Sequence, residues 1–256
     1  MIEIENLSFS YGSREVLTDV NFTAEAGQLI AVLGPNGVGK STLFRCMLAL
    51  LSGYRGCVRI DGDDVRSLSR ADLSLRAAYI PQNADPVFNY TVLETVLMGT
   101  TGALSPLRRP GSEELARAVH ALEALGITDL AERGIGRISG GERQLALIAR
   151  ALAQNARTLI MDEPTANLDY GNQHRVLQRV RALADSGYTV FLSTHNPDHA
   201  LRFATHVLAL RRSKPCAAGR TEDVLTAELL EELYGIPVVV SPVELPSGTI
   251  RTCTPI

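Results

Sequence analysis

Gly34-Pro35-Asn36-Gly37-Val38-Gly39-Lys40-Ser41-Thr42 decides the fold of this 256-residue chain. The stretch fits G-x-x-x-x-G-K-[ST], a loop that wraps a phosphate in backbone N–H groups. Its flanks supply the required context: Gln28-Leu29-Ile30-Ala31-Val32-Leu33 reads as a buried strand and Leu43-Phe44-Arg45-Cys46-Met47-Leu48 as a helix. Gly34, Gly37 and Gly39 let the backbone curl until consecutive N–H groups converge. The helix that follows adds the positive end of its dipole. Lys40 is then expected to reach the β- and γ-phosphates and the Ser41 hydroxyl to ligate Mg²⁺. With Asn36 and Thr42 beside them, these residues predict a nucleoside triphosphate site.

Composition narrows the class. Hydrophobic residues make up 45% and charged residues 21%, the balance of an ordinary globular chain, and the length suffices for one large α/β domain. A net charge of −3 gives no electrostatic reason to expect nucleic acid as a partner. Cys46, Cys57, Cys216 and Cys253 stand apart with no C-x-x-C, which argues against a disulfide framework and a zinc site. Met1-Ile2-Glu3-Ile4-Glu5-Asn6 lacks the basic and apolar regions of a secretory signal, and no apolar run nears the roughly 20 residues that cross a bilayer. A cytosolic chain is expected.

Residues 2–5 and 16–23 alternate as strands with one buried face. Four runs, 29–33, 158–161, 189–192 and 207–210, are nearly continuous in apolar residues, as parallel strands covered on both faces are. Helical patterns separate them, 173–184 most clearly, so an α/β sheet with crossovers is expected. Between them, residues 92–97 and 113–125 favour helix, joined by a Gly- and Pro-bearing loop over 99–111. After Lys214 a short helix is expected, with Thr226 as N-cap and Gly235 as its stop. Val238-Val239-Val240 and a Pro-bearing, poorly ordered terminus follow.

Thr158-Leu159-Ile160-Met161-Asp162-Glu163 is an apolar strand that ends in two carboxylates. Downstream of a phosphate loop this is the Walker B pattern. Asp162 is expected to hold Mg²⁺ and Glu163 to polarise the attacking water as a general base. Ile138-Ser139-Gly140-Gly141-Glu142 lies just before an Ala/Leu-rich run, residues 143–153, that reads as helix. Taken together, these motifs resemble those of the ABC ATPases, and the remaining motifs of that family follow in order. Tyr11-Gly12 resembles the A-loop, whose ring stacks on adenine. Gln82, after Ala78-Tyr79-Ile80, resembles the Q-loop glutamine that contacts Mg²⁺ and the water. Ala166-Asn167-Leu168-Asp169 resembles the D-loop. His195 resembles the switch histidine that hydrogen-bonds the γ-phosphate.

The resemblance covers residues 1–212. It implies a P-loop NTPase fold of the RecA-like kind: a mixed-sheet α/β core over 1–84 and 143–212, an inserted helical subdomain over 85–142, and a C-terminal helix, strand and tail over 213–256. It implies ATP and Mg²⁺ as cofactors. It also implies a homodimer packed head-to-tail, in which Ser139, Gly140, Gly141 and Glu142 of one copy close on the nucleotide of the other. Two departures stand out. The signature ends in Glu142 where the family pattern has Gln; the first turn of a helix tolerates an acid, but an acid beside a triphosphate opposes nucleotide-driven closure. The D-loop has Asn167 where Ala is commoner. His195 and His199, four residues apart, would suit a metal on one helix face, but Asn196-Pro197 places a turn or helix start between them.

Within the resemblance, repair-type ATPases are set aside because too few residues separate Lys40 from Ser139 for coiled coils. Translation-type members carry two cassettes. The expected function is the ATPase subunit of an importer whose membrane spans lie in separate permease chains, placed peripherally at the cytoplasmic face, with an extracytoplasmic substrate-binding protein in the same system. Residues 169–173, 193–200, 219–225 and 233–236 resemble the ATPases of iron–siderophore, haem and cobalamin importers. Importers of zinc, manganese or molybdate, and a soluble ABC ATPase without a permease, are the alternatives. The segment 82–95 is expected to receive the permease, with Phe88 and Tyr90 as anchors.

Overall fold

In chain order the elements are β1 (Ile2–Tyr11), β2 (Arg14–Ala24), β3 (Leu29–Leu33), α1 (Lys40–Met47), β4 (Arg55–Ile60), β5 (Asp63–Asp64), α2 (Arg70–Arg76), β6 (Ala77–Ile80), α3 (Val92–Leu97), α4 (Ser112–Leu125), α5 (Gly140–Ala153), β7 (Thr158–Met161), α6 (Tyr170–Asp185), β8 (Thr189–Thr194), α7 (Pro197–Phe203), β9 (His206–Arg211), β10 (Lys214–Arg220), α8 (Thr221–Val224), α9 (Ala227–Tyr234), β11 (Val238–Leu245) and β12 (Gly248–Pro255). They belong to a computed structural model that describes residues 1–82, 89–103, 110–246 and 248–256. The chain divides into two compact units, residues 1–67 with 183–256, and residues 68–182.

The first unit begins with a strand longer than its alternation suggests. Ile2 and Ile4 are buried, then Leu7 and Phe9, so the inward parity switches mid-strand. Asn6 makes the switch with φ 49, and the pairing with β2 shifts register between Ile4 and Leu7. This is a β-bulge, which inserts one residue and returns the apolar set to the same face. Opposite it, a Cβ on Gly56 would lie 2.3 Å from the Glu5 carbonyl oxygen, so β4 passes the bulge only with glycine there. The antiparallel order is β2-β1-β4-β5.

Against this sheet's alternation, β3 is buried at every residue. It pairs in parallel with β8 (Leu29 opposite Val190) and with β9 (Ile30 opposite His206), and β10 adds an antiparallel strand to β9. Leu43, Phe44 and Met47 of α1 are fully buried, each contributing roughly 1.5–3 kcal/mol of transfer free energy. The chain's end departs from expectation. Residues 241–256 are not a loose tail: β11 and β12 form an in-register hairpin from Val238 opposite Pro255 to Leu245 opposite Gly248. Val240 and Cys253 of this hairpin pack on a core of Ala31, Ala200, Leu230, Leu233 and Val238. Pro242 and Pro255 are tolerated because a two-stranded ribbon has free edges. The helix before it, α9, begins and stops as the sequence predicts, with Thr226 Oγ1 accepting the Leu229 N–H and Gly235 left-handed at φ 71.

In the second unit β6 and β7 pair in parallel, Ala77 opposite Thr158 through Ile80 opposite Met161. Helices α3, α4 and α5 pack together around Val92, Val96, Ala118, Leu122 and Ala149, all buried. Gly99 allows the closest approach: its absent Cβ would fall 1.9 Å from the Arg150 carbonyl oxygen. Of the docking segment read from the sequence, Phe88 lies outside the described residues, and Tyr90 is 40% exposed.

Candidate functional site

In the first unit, β3 delivers the chain into the loop at Gly34. Gly34, Gly37 and Gly39 have φ of 150, 76 and 120, conformations that favour glycine. Two of them are also sterically required. A Cβ on Gly34 would lie 2.9 Å from the Leu210 carbonyl oxygen, and one on Gly39 would lie 2.9 Å from Val16 Cγ1. The loop therefore turns as tightly as a phosphate cradle needs. Lys40 is only 5% exposed, and its Nζ donates to the carbonyls of Gly34 (2.9 Å) and Pro35 (3.4 Å). A buried ammonium must be partnered, and here the loop itself curls around it. Gly39 caps α1 without a side-chain hydrogen bond, and the helix has no acid in its first turn. Ser41 is half-buried, Thr42 buried, and Asn36 exposed at the loop's rim.

Two further predicted residues lie in this unit. Tyr11 ends β1, is 46% exposed, and rests edge-on against Phe9 with ring centroids 4.8 Å apart. A ring this exposed is accessible to a stacking partner. His195 follows β8 and is exposed. The next residue, Asn196, caps α7, so His195 precedes the helix and His199 lies within it. The two imidazoles are therefore not an i, i+4 pair on one helix face. His199 Nδ1 sits 3.2 Å from Thr194 Oγ1, and burial, with His195 nearby, pushes its pKa down to about 4, so it is neutral near pH 7.

The second unit holds the other set. Strand β7 ends at Asp162, which is 4% exposed and whose N–H donates to the Ile80 carbonyl at 2.9 Å. Tyr79 Oη lies 3.4 Å from Asp162 Oδ2 and donates to it. Glu163 has φ 46, left-handed for a residue with a side chain; such conformations cost about 1–3 kcal/mol and cluster at functional sites. Gln82 Nε2 lies 3.4 Å from Glu163 Oε2. Gln82, Asp162 and Glu163, 81 residues apart between the outer pair of contacts, are thus brought together. Tyr79 was not singled out by sequence reasoning; its place in the apolar strand beside Gln82 was the available signal.

Ser139 caps α5, as the motif requires. The Ser139 N–H donates to Glu142 Oε2 at 2.7 Å, and the Glu142 N–H donates to Ser139 Oγ at 3.3 Å, a reciprocal capping box. The Ser139 N–H, and then its hydroxyl, hold the Glu142 carboxyl below its ordinary pKa. Gly140 is exposed and Gly141 buried. A Cβ on Gly141 would lie 2.6 Å from Asn172 Oδ1. Asn172 is itself fixed: its N–H and Nδ2 donate to Asp169 at 2.9 and 2.6 Å, and Arg175 Nη1 donates to its Oδ1 at 3.1 Å. Sequence reasoning used Asn172 only as part of a likeness; its support of the signature turn was missed, although the Asp169-x-x-Asn172 spacing is that of a helix cap. Asn167, the D-loop departure, has φ 62, a conformation asparagine tolerates better than most residues.

The family model for ABC transporters matches residues 17–166. The chain belongs to the ABC transporter family. It is an ATP-binding subunit and an ATPase, whose hydrolysis powers transport. It is 34% identical to the ferric enterobactin transport ATP-binding protein FepC of Escherichia coli over 98% of this chain and 95% of that protein. It is 36% identical to the manganese transport system ATP-binding protein MntB of Bacillus subtilis over 91% and 92%. Among solved structures, an inward-facing conformation of a putative metal-chelate type ABC transporter superposes with a TM-score of 0.89 at 32% identity, covering 100% of this chain and 97% of the other. The mixed α/β fold expected from the motifs is the fold found. Among the described residues no helix is long and apolar enough to cross a membrane.

Proposed function

We propose that this ABC ATPase energises uptake of a metal chelate: an iron–siderophore complex, haem or cobalamin. The observation that carries the proposal is the extent of the likeness to the metal-chelate transporter, which runs the whole chain and includes the C-terminal hairpin. The identity to FepC points the same way. A manganese importer is the second reading, favoured by a comparable identity to MntB.

In this reading Lys40 and the loop N–H groups bind the β- and γ-phosphates, Tyr11 stacks on adenine, and His195 hydrogen-bonds the γ-phosphate. Ser41, Asp162 and Gln82 offer hard oxygen donors that suit Mg²⁺. Among the described residues there is no group of three or more His, Cys, Asp or Glu that could hold a metal ion; Mg²⁺ bound with a nucleotide takes its further ligands from phosphate and water. Mg²⁺ would neutralise charge on the β- and γ-phosphates. Glu163 takes the proton of the attacking water on its carboxylate, and Gln82, hydrogen-bonded to that carboxylate, orients it. Ser139, Gly140, Gly141 and Glu142 act on the nucleotide of a second copy packed head-to-tail. Separate permease chains hold the dimer at the cytoplasmic face, and an extracytoplasmic binding protein supplies the chelate.

The test is reconstitution in vesicles with its permease chains. ATP turnover stimulated by a ferric siderophore, haem or cobalamin with its binding protein supports the proposal. Stimulation by Mn²⁺ alone selects the second reading.

A further inference from the structure

We infer that Asp198 is a positioning residue for His195, and that the C-terminal hairpin is the anchor through which it acts. The inference rests on the reading of His195 as the γ-phosphate group.

The backbone on either side of His195 is pinned at two points. Thr194 before it is 3% exposed, and its Oγ1 accepts the Asn196 N–H at 3.0 Å. Asn196 Oδ1 in turn accepts the Asp198 N–H at 2.9 Å, closing the cap of α7. Pro197 at the first helical position fixes φ there. The direction in which His195 leaves β8 is therefore coupled to the direction of α7. A helix of seven residues has little stability of its own, so its direction must be set by what it packs on.

Asp198 supplies that constraint. Its Oδ1 accepts two hydrogen bonds from β12, one from Thr252 Oγ1 at 3.0 Å and one from the Cys253 N–H at 2.9 Å. A carboxylate that accepts two donors is held more firmly than a neutral pair. The strand is anchored beyond it. Arg251 donates from Nη1 to the Glu222 carbonyl at 2.9 Å and from Nη2 to the Leu225 carbonyl at 2.8 Å, and Cys253 packs on the core that contains Ala200 of α7. The last strand of the chain thus braces the segment that carries His195, three residues from the brace to the imidazole. A group aimed at a reacting phosphoryl must be placed to within a fraction of an ångström.

The experiment uses the full chain and four variants: Asp198→Leu, Asp198→Asn, Thr252→Val and His195→Ala. Asp198→Leu is expected to lower kcat for ATP by roughly 10–100-fold, the cost of a misplaced catalytic group, with ATP affinity changed by no more than about two-fold because the phosphate loop is untouched. Asp198→Asn keeps an acceptor oxygen and is expected to restore most of kcat. Thr252→Val, which removes one of the two donors, is expected to lie between. The His195 imidazole signal, identified by its loss in His195→Ala, should shift or broaden in Asp198→Leu and return in Asp198→Asn. Unchanged kcat in Asp198→Leu overturns the inference, as does a parallel loss of ATP affinity, which marks a merely structural role. If His195→Ala retains full turnover while Asp198→Leu loses it, the reading of His195 fails, and Asp198 acts by another route. If both retain full turnover, both claims fail.

Discussion

Glu142 Oε2 accepts the Ser139 N–H at 2.7 Å, so the acid that breaks the usual signature pattern is the partner of the residue that defines it. The carboxylate is part of the cap of α5 and not a stray charge. It also keeps a full negative charge where a second copy's triphosphate is expected.

Glu142→Gln separates these two effects. Glutamine can close the same capping box, so the melting temperature near pH 7 should change little. ATP-dependent dimerisation, followed by sedimentation with a non-hydrolysable analogue, should strengthen. Ser139→Ala removes the cap and should cost about 0.5–2 kcal/mol of stability. The sign with pH follows from the lowered Glu142 pKa. A carboxylate whose pKa falls on folding stabilises above its unfolded value, and that contribution fades as pH drops through the folded value. Glu142→Gln should therefore show a weaker acid dependence of stability below about pH 4. Dimerisation no stronger than wild type would remove the charge argument.

Glu163→Gln should bind ATP normally and lose hydrolysis by about 10²–10⁴-fold, the usual contribution of a general base. Because the amide can still meet Gln82, the local contacts survive and the variant should accumulate as an ATP-bound dimer. Turnover near wild type in a coupled assay would exclude Glu163 as the base.

Lys40→Ala should abolish tight ATP binding, since the buried ammonium is the main charge the loop offers the phosphates. Tyr11 is exposed, and Tyr11→Ala should weaken binding by ~0.5–1.5 kcal/mol, the worth of a stacked pair. Equilibrium titration with a fluorescent ATP analogue reads both. Unchanged affinity in the Tyr11 variant would mean adenine stacks elsewhere.

What was legible in the chain followed how local the signal was. The phosphate loop, the cap at Thr226 and the stop at Gly235 are each written within a few residues, and the structure forms each of them. Strand β1 past Asn6 was not legible, because its alternation changes parity at a bulge that depends on Gly56 of another strand. Residues 55–64 and 70–76 gave no periodicity long enough to read, yet form β4, β5 and α2. The hairpin at the end was missed because Pro242 and Pro255 argue against strand, whereas a two-stranded ribbon tolerates them at its edges. The contact of Gln82 with Glu163 depends on the pairing of β6 with β7, which spacing alone does not reveal.

The head-to-tail arrangement is the reading that one chain cannot display, and complementation tests it. Lys40→Ala disables the phosphate loop, and Ser139→Arg fills the approach to the signature turn with a long cation. Either variant alone should fail to dimerise on ATP, because each homodimer has two defective sites. Ser139 and Gly140 are exposed, so the arginine need not disturb the fold, and an unchanged melting temperature checks that. In a mixture, the mixed dimer pairs the intact loop of one chain with the intact signature of the other at one site, and leaves both defects at the second. Partial ATP-dependent dimerisation of the mixture, absent from either variant alone, is the expected result. A mixture as inert as its components would mean that Ser139 serves the nucleotide bound by its own Lys40.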